Sequence, residues 1–358
     1  MRATAARPIK GLTPIRGLPT RPLRAAAIAL GLAGLFAPAA RAHHYRLESA
    51  TPPVPFLQNG RVDVVIAPSG VAPLGDGRRV LVAHAKAAPL HVVDLATGAL
   101  VGAPLGSPKF PPTTKTGPNW GGMALDSEGN YYLVGSHSGK SDEERAASSV
   151  VIRFRLRDQD PPAIDDASVV RWNIAGPLET ALAGQGLDAA RVAERRVEGL
   201  AIREGGGRRE LVIGLRKPDD KVRAFTADIT EAPSPDAALE LRPLFAFDAG
   251  RREGVAAQLT SLEYISVMGG FLVLTSTVGA DNSFHGNTLW LVANGQRRQA
   301  REYETFEVGM KAGGLTVLRV ETAGGRTAIK LLITYDNDPH ATKIPSRIQT
   351  ATLIRESR

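Results

Sequence analysis

Three short stretches carry residue types that can do chemistry. Ser136-His137-Ser138 sets an imidazole between two hydroxyls, Glu198 and Arg216 supply a carboxylate and a guanidinium, and Tyr335-Asp336-Asn337-Asp338 gathers two carboxylates around an amide. A guanidinium with an imidazole recognises anions, convergent carboxylates hold a hard cation, and a serine activated by histidine attacks carbonyls. The third chemistry has the least support. No G-x-S-x-G elbow occurs, and a histidine adjacent in sequence to a serine does not make a catalytic pair. The acidic stretch lacks the length and pattern of a calcium loop and reads as an acidic turn that could touch a divalent cation such as calcium. Gly205-Gly206-Gly207 lies between two strand patterns with no helix after it, so it is no phosphate loop.

The elements that must position these residues are short strands. Val150–Arg157 alternates Ile152, Phe154 and Leu156 with Arg153, Arg155 and Arg157, as a half-buried outer strand does. A weak motif recurs in which a small residue precedes an apolar one, then a strand, a polar turn and a strongly apolar strand. Its copies begin at Gly70, Gly122, Gly199, Ser261 and Gly314, spaced by 52, 77, 62 and 53 residues. Four strands per period of this size mark a β-propeller, here with five four-stranded blades. The strands are expected at 70–74, 79–84, 90–95 and 100–105; at 122–126, 130–135, 149–157 and 168–174; at 199–203, 210–215, 221–228 and 241–247; at 262–267, 271–276, 287–292 and 303–308; and at 314–320, 328–335 and 347–354. The fifth blade lacks a fourth strand, which the N-terminal Arg61–Ile66 can supply, closing the ring. The long second spacing holds a helical insertion near 177–196. A sixth blade is the alternative if that insertion hides a degenerate repeat.

Within a blade successive strands are antiparallel, so loops before each first strand and after each second strand meet at one mouth of the ring. The sequence therefore collects His84, Lys86, Ser136, His137, Ser138, Glu198, Arg216, Lys217, Ser276, Thr277, Asp336, Asn337 and Asp338 there. Such a mixture suits a small polar or anionic ligand. The residues just before the repeated motif are Ser69, Gly121, Glu198, Thr260 and Gly313, so a symmetric carboxylate ring is absent.

Charge and the N-terminus set the compartment. Of 44 basic residues, seven fall in residues 1–42 with no acidic partner, which leaves 37 basic against 36 acidic residues in the remainder. A nucleic-acid surface thereby loses its main support. The basic start, the apolar stretch 25–37 and Ala40-Arg41-Ala42 form a secretory signal with cleavage between Ala42 and His43. The apolar stretch is too short to span a bilayer. The expectation is a signal over 1–42 and one propeller domain over 43–358, exported by general secretion to the periplasm or beyond, monomeric and without a membrane span. His43-His44 would then head the mature chain. With no cysteine, stability must come from packing.

Met123–Ser138, Val197–Pro218 and Lys330–Pro339 resemble the bacterial family called domain of unknown function 3616, which carries similar E-G-L-A, G-S-H-S, G-L-R-x-P and Y-D elements. Lys217 departs from the glycine usual there, and Gly313 from a frequent glutamate. The family has no established activity. The E-G-L-A element is also similar to one in phytase-like and gluconolactonase-like propellers. That resemblance implies Glu198 as a metal ligand, with Asp336 and His137 as neighbours and Arg216 as an anion clamp. Two functions follow as expectations. The first is a propeller that binds a small ligand or an envelope partner through His137, Glu198, Arg216, Asp336 and Asp338. The alternative is a metal-assisted hydrolase of an ester, lactone or phosphoester, with Glu198 and Asp336 on the metal.

Overall fold

Alternating apolar residues build this chain as a succession of small antiparallel sheets. The computed structural model describes residues 44–62, 67–85, 89–111, 119–139, 141–231, 233–235, 237–293, 296–302, 309–336 and 345–356, all within the unit His43–Arg358. The expected signal segment and Lys86, Asn337 and Asp338 lie outside these residues.

Strands β1 (His44–Ala50) and β2 (Val54–Pro55) precede the first blade, which holds β3 (Pro68–Pro73), β4 (Arg79–His84) and β5 (Leu90–Asp94). Its fourth strand is reduced to bridges from Leu90 to Leu105 and from Val93 to Leu100. The turn after β5 is built by Asp94, whose Oδ1 accepts from the Ala96 and Thr97 amides at 3.0 and 2.9 Å, while Gly98 takes φ 71°. The second blade comprises β6 (Trp120–Leu125), β7 (Tyr131–Gly135), helix α1 (Asp142–Ala147), β8 (Val150–Arg157) and β9 (Ala163–Asn173). Helices α2 (Ala175–Ala183) and α3 (Ala189–Ala193) form the insertion. The third blade is β10 (Arg196–Gly205), β11 (Arg208–Lys217), β12 (Lys221–Asp228) and β13 (Arg242–Asp248). A small hairpin, β14 (Arg251–Arg252) and β15 (Val255–Ala256), leads to the fourth: β16 (Gln258–Ile265), β17 (Gly270–Val278), β18 (Phe284–Ala293) and β19 (Gln296–Glu302). The fifth is β20 (Lys311–Ala323), β21 (Arg326–Asp336) and β22 (Arg347–Glu356), with β1 as its outer strand.

The result is a closed five-bladed β-propeller. First strands follow one another around the axis, and β20 returns against β3. Each of the five seams between blades has its own apolar cluster. Leu81 and Trp120 lie in the first seam, Trp172 and Leu211 in the second, Phe245 and Val273 in the third, Leu272 and Leu331 in the fourth, and Val71 and Leu332 in the fifth. Burial of a leucine or phenylalanine of this kind contributes about 1.5–3 kcal/mol, so the seams hold the ring without disulfides. Leu178, Leu182 and Val192 of the insertion join the second seam. The insertion is thus a cover for that seam, not a sixth blade.

Two strands differ from the sequence reading. The ring is closed by β1, which pairs with β22 from His44 opposite Glu356 to Ala50 opposite Ala351. Of the expected closing strand 61–66, Arg61 bridges to Gln58, and 63–66 lie outside the described residues. The outer strand of the fourth blade is Gln296–Glu302, ahead of the expected 303–308, which also lie outside them. The arginine face of β8 is more than a solvated row. Arg153 lies over the Trp172 ring at 5.8 Å, and the Arg155 Nε donates to Asn130 Oδ1 at 2.7 Å.

Candidate functional site at the axial mouth

At the mouth end of every blade the ladder between first and second strands slips by one residue. The slips fall between Pro68 and Gly70, Trp120 and Gly122, Val197 and Gly199, Leu259 and Ser261, and Ala312 and Gly314. Ser69, Gly121, Glu198, Thr260 and Gly313 are therefore five equivalent bulge residues, and a bulge re-aims the side chain it carries. The residues expected just before each repeat are these bulges.

Packing explains why only one of them is acidic. A Cβ on Gly121 would stand 2.1 Å from the Val197 carbonyl oxygen, and one on Gly313 would stand 2.1 Å from that of Pro68. No side chain fits at either position. Ser69 and Thr260 occupy theirs with hydroxyls directed at second-strand carbonyls, those of Ala83 at 3.5 Å and Leu274 at 3.4 Å. Glu198 alone carries a long side chain there. The repeat glycines next to the bulges are equally confined: a Cβ on Gly70 would meet the Met123 amide nitrogen at 2.6 Å, and one on Gly122 that of Leu200 at 2.9 Å.

The second strands end on an equivalent ring of Ala85, Ser136, Arg216, Ser276 and Asp336, each one residue past the position paired to the start of its slip. Ser276 is committed to the frame, donating to Asn287 Oδ1 at 2.6 Å and to the Ala312 carbonyl at 3.3 Å. Ser136 shares a hydrogen bond with Ser138 at 2.5 Å. Arg216 is held from two blades: its Nε donates to Gln258 Oε1 at 2.6 Å, and its Nη1 approaches Glu198 Oε1 at 3.5 Å. The Arg216 and Glu198 side chains are 17% and 12% exposed, so the pair is sheltered yet reachable from the mouth.

His137 sits on the adjoining seam. Val197 donates its amide to the Ser136 carbonyl at 3.0 Å, which brings the residues before Glu198 and His137 together across the second and third blades. The backbone at His137 is left-handed, φ 58°, and its ring is buried. Ser149 Oγ donates to the Arg145 carbonyl at 2.5 Å and stands 2.9 Å from His137 Nδ1. It therefore accepts from Nδ1–H, leaving Nε2 as a buried lone pair without a hydrogen-bond partner. Burial, with the Arg195 charge second, pushes the imidazole down to about 3. In this neutral tautomer Nδ1 donates and Nε2 can only accept.

Glu198 and Arg216 are thus brought into contact, while His137 is joined to them through the backbone and turns its ring to Ser149. Asp336 ends β21 on the far side of the ring, at the seam between fifth and first blades, 3.6 Å from where a Cβ on Gly313 would stand. Asp338 lies outside the described residues. Among the described residues no group of three or more His, Cys, Asp or Glu is placed to hold a metal ion. Glu198 faces a guanidinium instead. The sequence reading missed Gln258 and Ser149, although Gln258 stands two residues before the fourth bulge and thus at the same mouth.

No family model matches the chain, and no curated protein matches it. Among solved structures it is similar to hydrazine synthase of Kuenenia stuttgartiensis, at 12% identity and TM-score 0.36 over 75% of this chain and 64% of that one. This chain therefore spans less than two thirds of that enzyme subunit. It is also similar to the catalytic domain of the Coprinopsis cinerea GH62 α-L-arabinofuranosidase, at 12% identity and TM-score 0.46 over 87% and 97% of the two chains. A third is the Cps50 (Swd1) β-propeller domain of Myceliophteria thermophila, at 10% identity and TM-score 0.37 over 86% and 98%. The five-bladed ring stands on its own seams and ladders, and these similarities say nothing about activity.

Proposed function

We propose that the protein is an exported binding propeller whose axial mouth takes a small hydroxylated anion. The observation that carries this reading is Arg216. A guanidinium has five N–H donors. Here Gln258 and Glu198 engage Nε and Nη1, while Nη2 has no partner among the described residues. The contact to Glu198 is long beside the 2.5 Å pair of Arg203 and Glu210, so Glu198 orients the guanidinium without consuming it. The remaining donors suit a carboxylate or phosphate. The Glu198 carboxylate supplies an acceptor for a hydroxyl of the same ligand, and the buried His137 shapes the adjoining seam. Asp336 fits this reading as a polar residue of the opposite rim, and Asp338 is proposed with it from the sequence alone. Resemblance to the domain of unknown function 3616 family is compatible with a binding role.

Export is part of the proposal. Cleavage after Ala42 would leave β1, which starts at His44, intact to close the ring, so the signal and the fold do not compete for residues. A periplasmic or envelope setting would supply small anions or an envelope partner. Metal-assisted hydrolysis, with a cation such as calcium on Glu198 and Asp336, is not favoured. The carboxylate of Glu198 meets Arg216, and the two acids stand on different blades.

A panel of hydroxycarboxylates and phosphorylated sugars, titrated into the mature protein by calorimetry, tests the binding claim. Saturable binding that falls at least tenfold in Arg216→Ala is expected. No binding across the panel, or binding indifferent to Arg216→Ala, would refute it. Intact mass of the exported protein tests the signal: the chain should begin at His43, and an uncut chain sinks the export reading.

A further inference from the structure

At the opposite end of the ring the third and fourth blades part around a cavity of about 330 Å³, near the lower limit of small-molecule sites. It lies far from the mouth: β10 runs from Glu198 down to Gly205, and Tyr264 likewise falls at the far end of β16. Its walls are aromatic. Phe271 lies 5.1 Å from Tyr264 and 5.7 Å from Phe245, ring centre to ring centre, both tilted. The Tyr264 hydroxyl has no hydrogen-bond partner among the described residues.

The charges around this cavity do not cancel. Arg203 is neutralised by Glu210, with Nε and Nη2 both 2.5 Å from Oε2. Glu204 is saturated by Arg209 at 3.0 Å and by the Ser127 amide and hydroxyl at 3.1 and 3.0 Å. Arg208 is left with a longer-range attraction to Asp228, whose carboxyl it helps hold below its ordinary range after the hydrogen bonds from Thr230. Its exposed guanidinium makes no ion pair or hydrogen bond among the described residues, although it lines the cavity.

We infer that this cleft binds a single-ring aromatic carboxylate, the ring between Tyr264, Phe271 and Phe245 and the carboxylate on Arg208. Aromatic walls take a flat ring by stacked or edge contacts, and an unpaired guanidinium takes a carboxylate in a forked hydrogen bond. A neutral ring would leave Arg208 unused. A small aliphatic acid would leave the aromatic walls wet.

Titration with 3-phenylpropionate, followed by protein NMR, tests this against 3-phenylpropanol, which lacks the charge, and propionate, which lacks the ring. The aryl acid should saturate at least tenfold below either fragment. Arg208→Ala should lose at least tenfold, and Tyr264→Ser should weaken binding with the melting transition retained. Arg171→Ala, an exposed arginine of the second blade, should leave it unchanged, as should Arg216→Ala at the mouth. Equal responses to the three probes, an absent response to the aryl acid, or full binding in Arg208→Ala each overturns the inference. Loss of mouth binding in Arg216→Ala with the cleft intact separates the two sites.

Discussion

Glu263 puts a carboxylate inside a seam where it has no ion-pair partner among the described residues. It lies on β16 between Leu262 and Tyr264, where the fourth blade packs on the fifth. Burial pushes its carboxyl from an ordinary 4.5 up to about 8, against a smaller opposing effect from a hydrogen bond to Thr316. A carboxyl raised on folding is bound to its proton in the native chain and not in the unfolded one. Its contribution is therefore complete below pH 4.5 and is lost as pH climbs through about 8. At about 1.4 kcal/mol per pH unit the ceiling is ~5 kcal/mol over that interval. The half-buried surface of Glu263 admits some solvent and brings the expected loss to about 2–3 kcal/mol. Glu263→Gln keeps the shape of the neutral acid and cannot ionise. Urea denaturation of both proteins at pH 5, 6.5 and 8.5 should show curves that nearly coincide at pH 5 and separate at pH 8.5, the glutamine variant the more stable. A constant difference across the three pH values would refute the reasoning, because no proton would then be linked to folding at this seam.

Other expectations rest on separate features. Gly121→Ala should cost about 2–3 kcal/mol, since its Cβ would collide with the Val197 carbonyl. Gly106→Ala, with nothing within 4 Å, should be near neutral, and urea midpoints decide between them. Removal of residues 43–50 strips β1 from β22 and leaves an open edge; dimers or aggregates should appear by size-exclusion chromatography, and a monomer of unchanged melting temperature would refute closure by β1. His137 and His91 are held down to about 3 and about 4, chiefly by burial. Their neutral forms stabilise the fold above pH 6.5, and that stability is lost as pH falls towards those values. Their ring protons, followed by NMR, should show no titration near pH 6.5, and a midpoint there would contradict their burial.

Much of the ring was legible because its signals are local. A small residue before an apolar strand marks where neighbouring backbones crowd, and Gly70, Gly122, Gly199 and Gly314 do meet the next blade there. The helical pattern of the insertion was equally direct. Helix α1 was overlooked although Ser141 and Glu144 form a capping box that the sequence displays. What stayed hidden depends on tertiary register. Arg61–Ile66 has the stronger strand pattern, yet His44–Ala50 closes the ring, because the choice lies with the partner edge and not with propensity. The bulges could not be seen either, since a one-residue slip leaves the pattern of small residues unchanged. Glu198 and Arg216 were singled out separately; their contact, and the Gln258 amide that fixes it, follow from the bulge. Glu263 was not singled out, because burial of an acid within an apolar strand is decided by the facing blade.

The central claim is that Arg216, aimed by Gln258 and Glu198, receives an anion at the axial mouth. A crystal structure of the mature protein soaked with a hydroxycarboxylate tests it most directly. Density for the acid group should lie within hydrogen-bond reach of Arg216 Nη2, with a hydroxyl turned towards Glu198. A mouth filled by water alone, with Arg216 closed tightly onto Glu198, would contradict it.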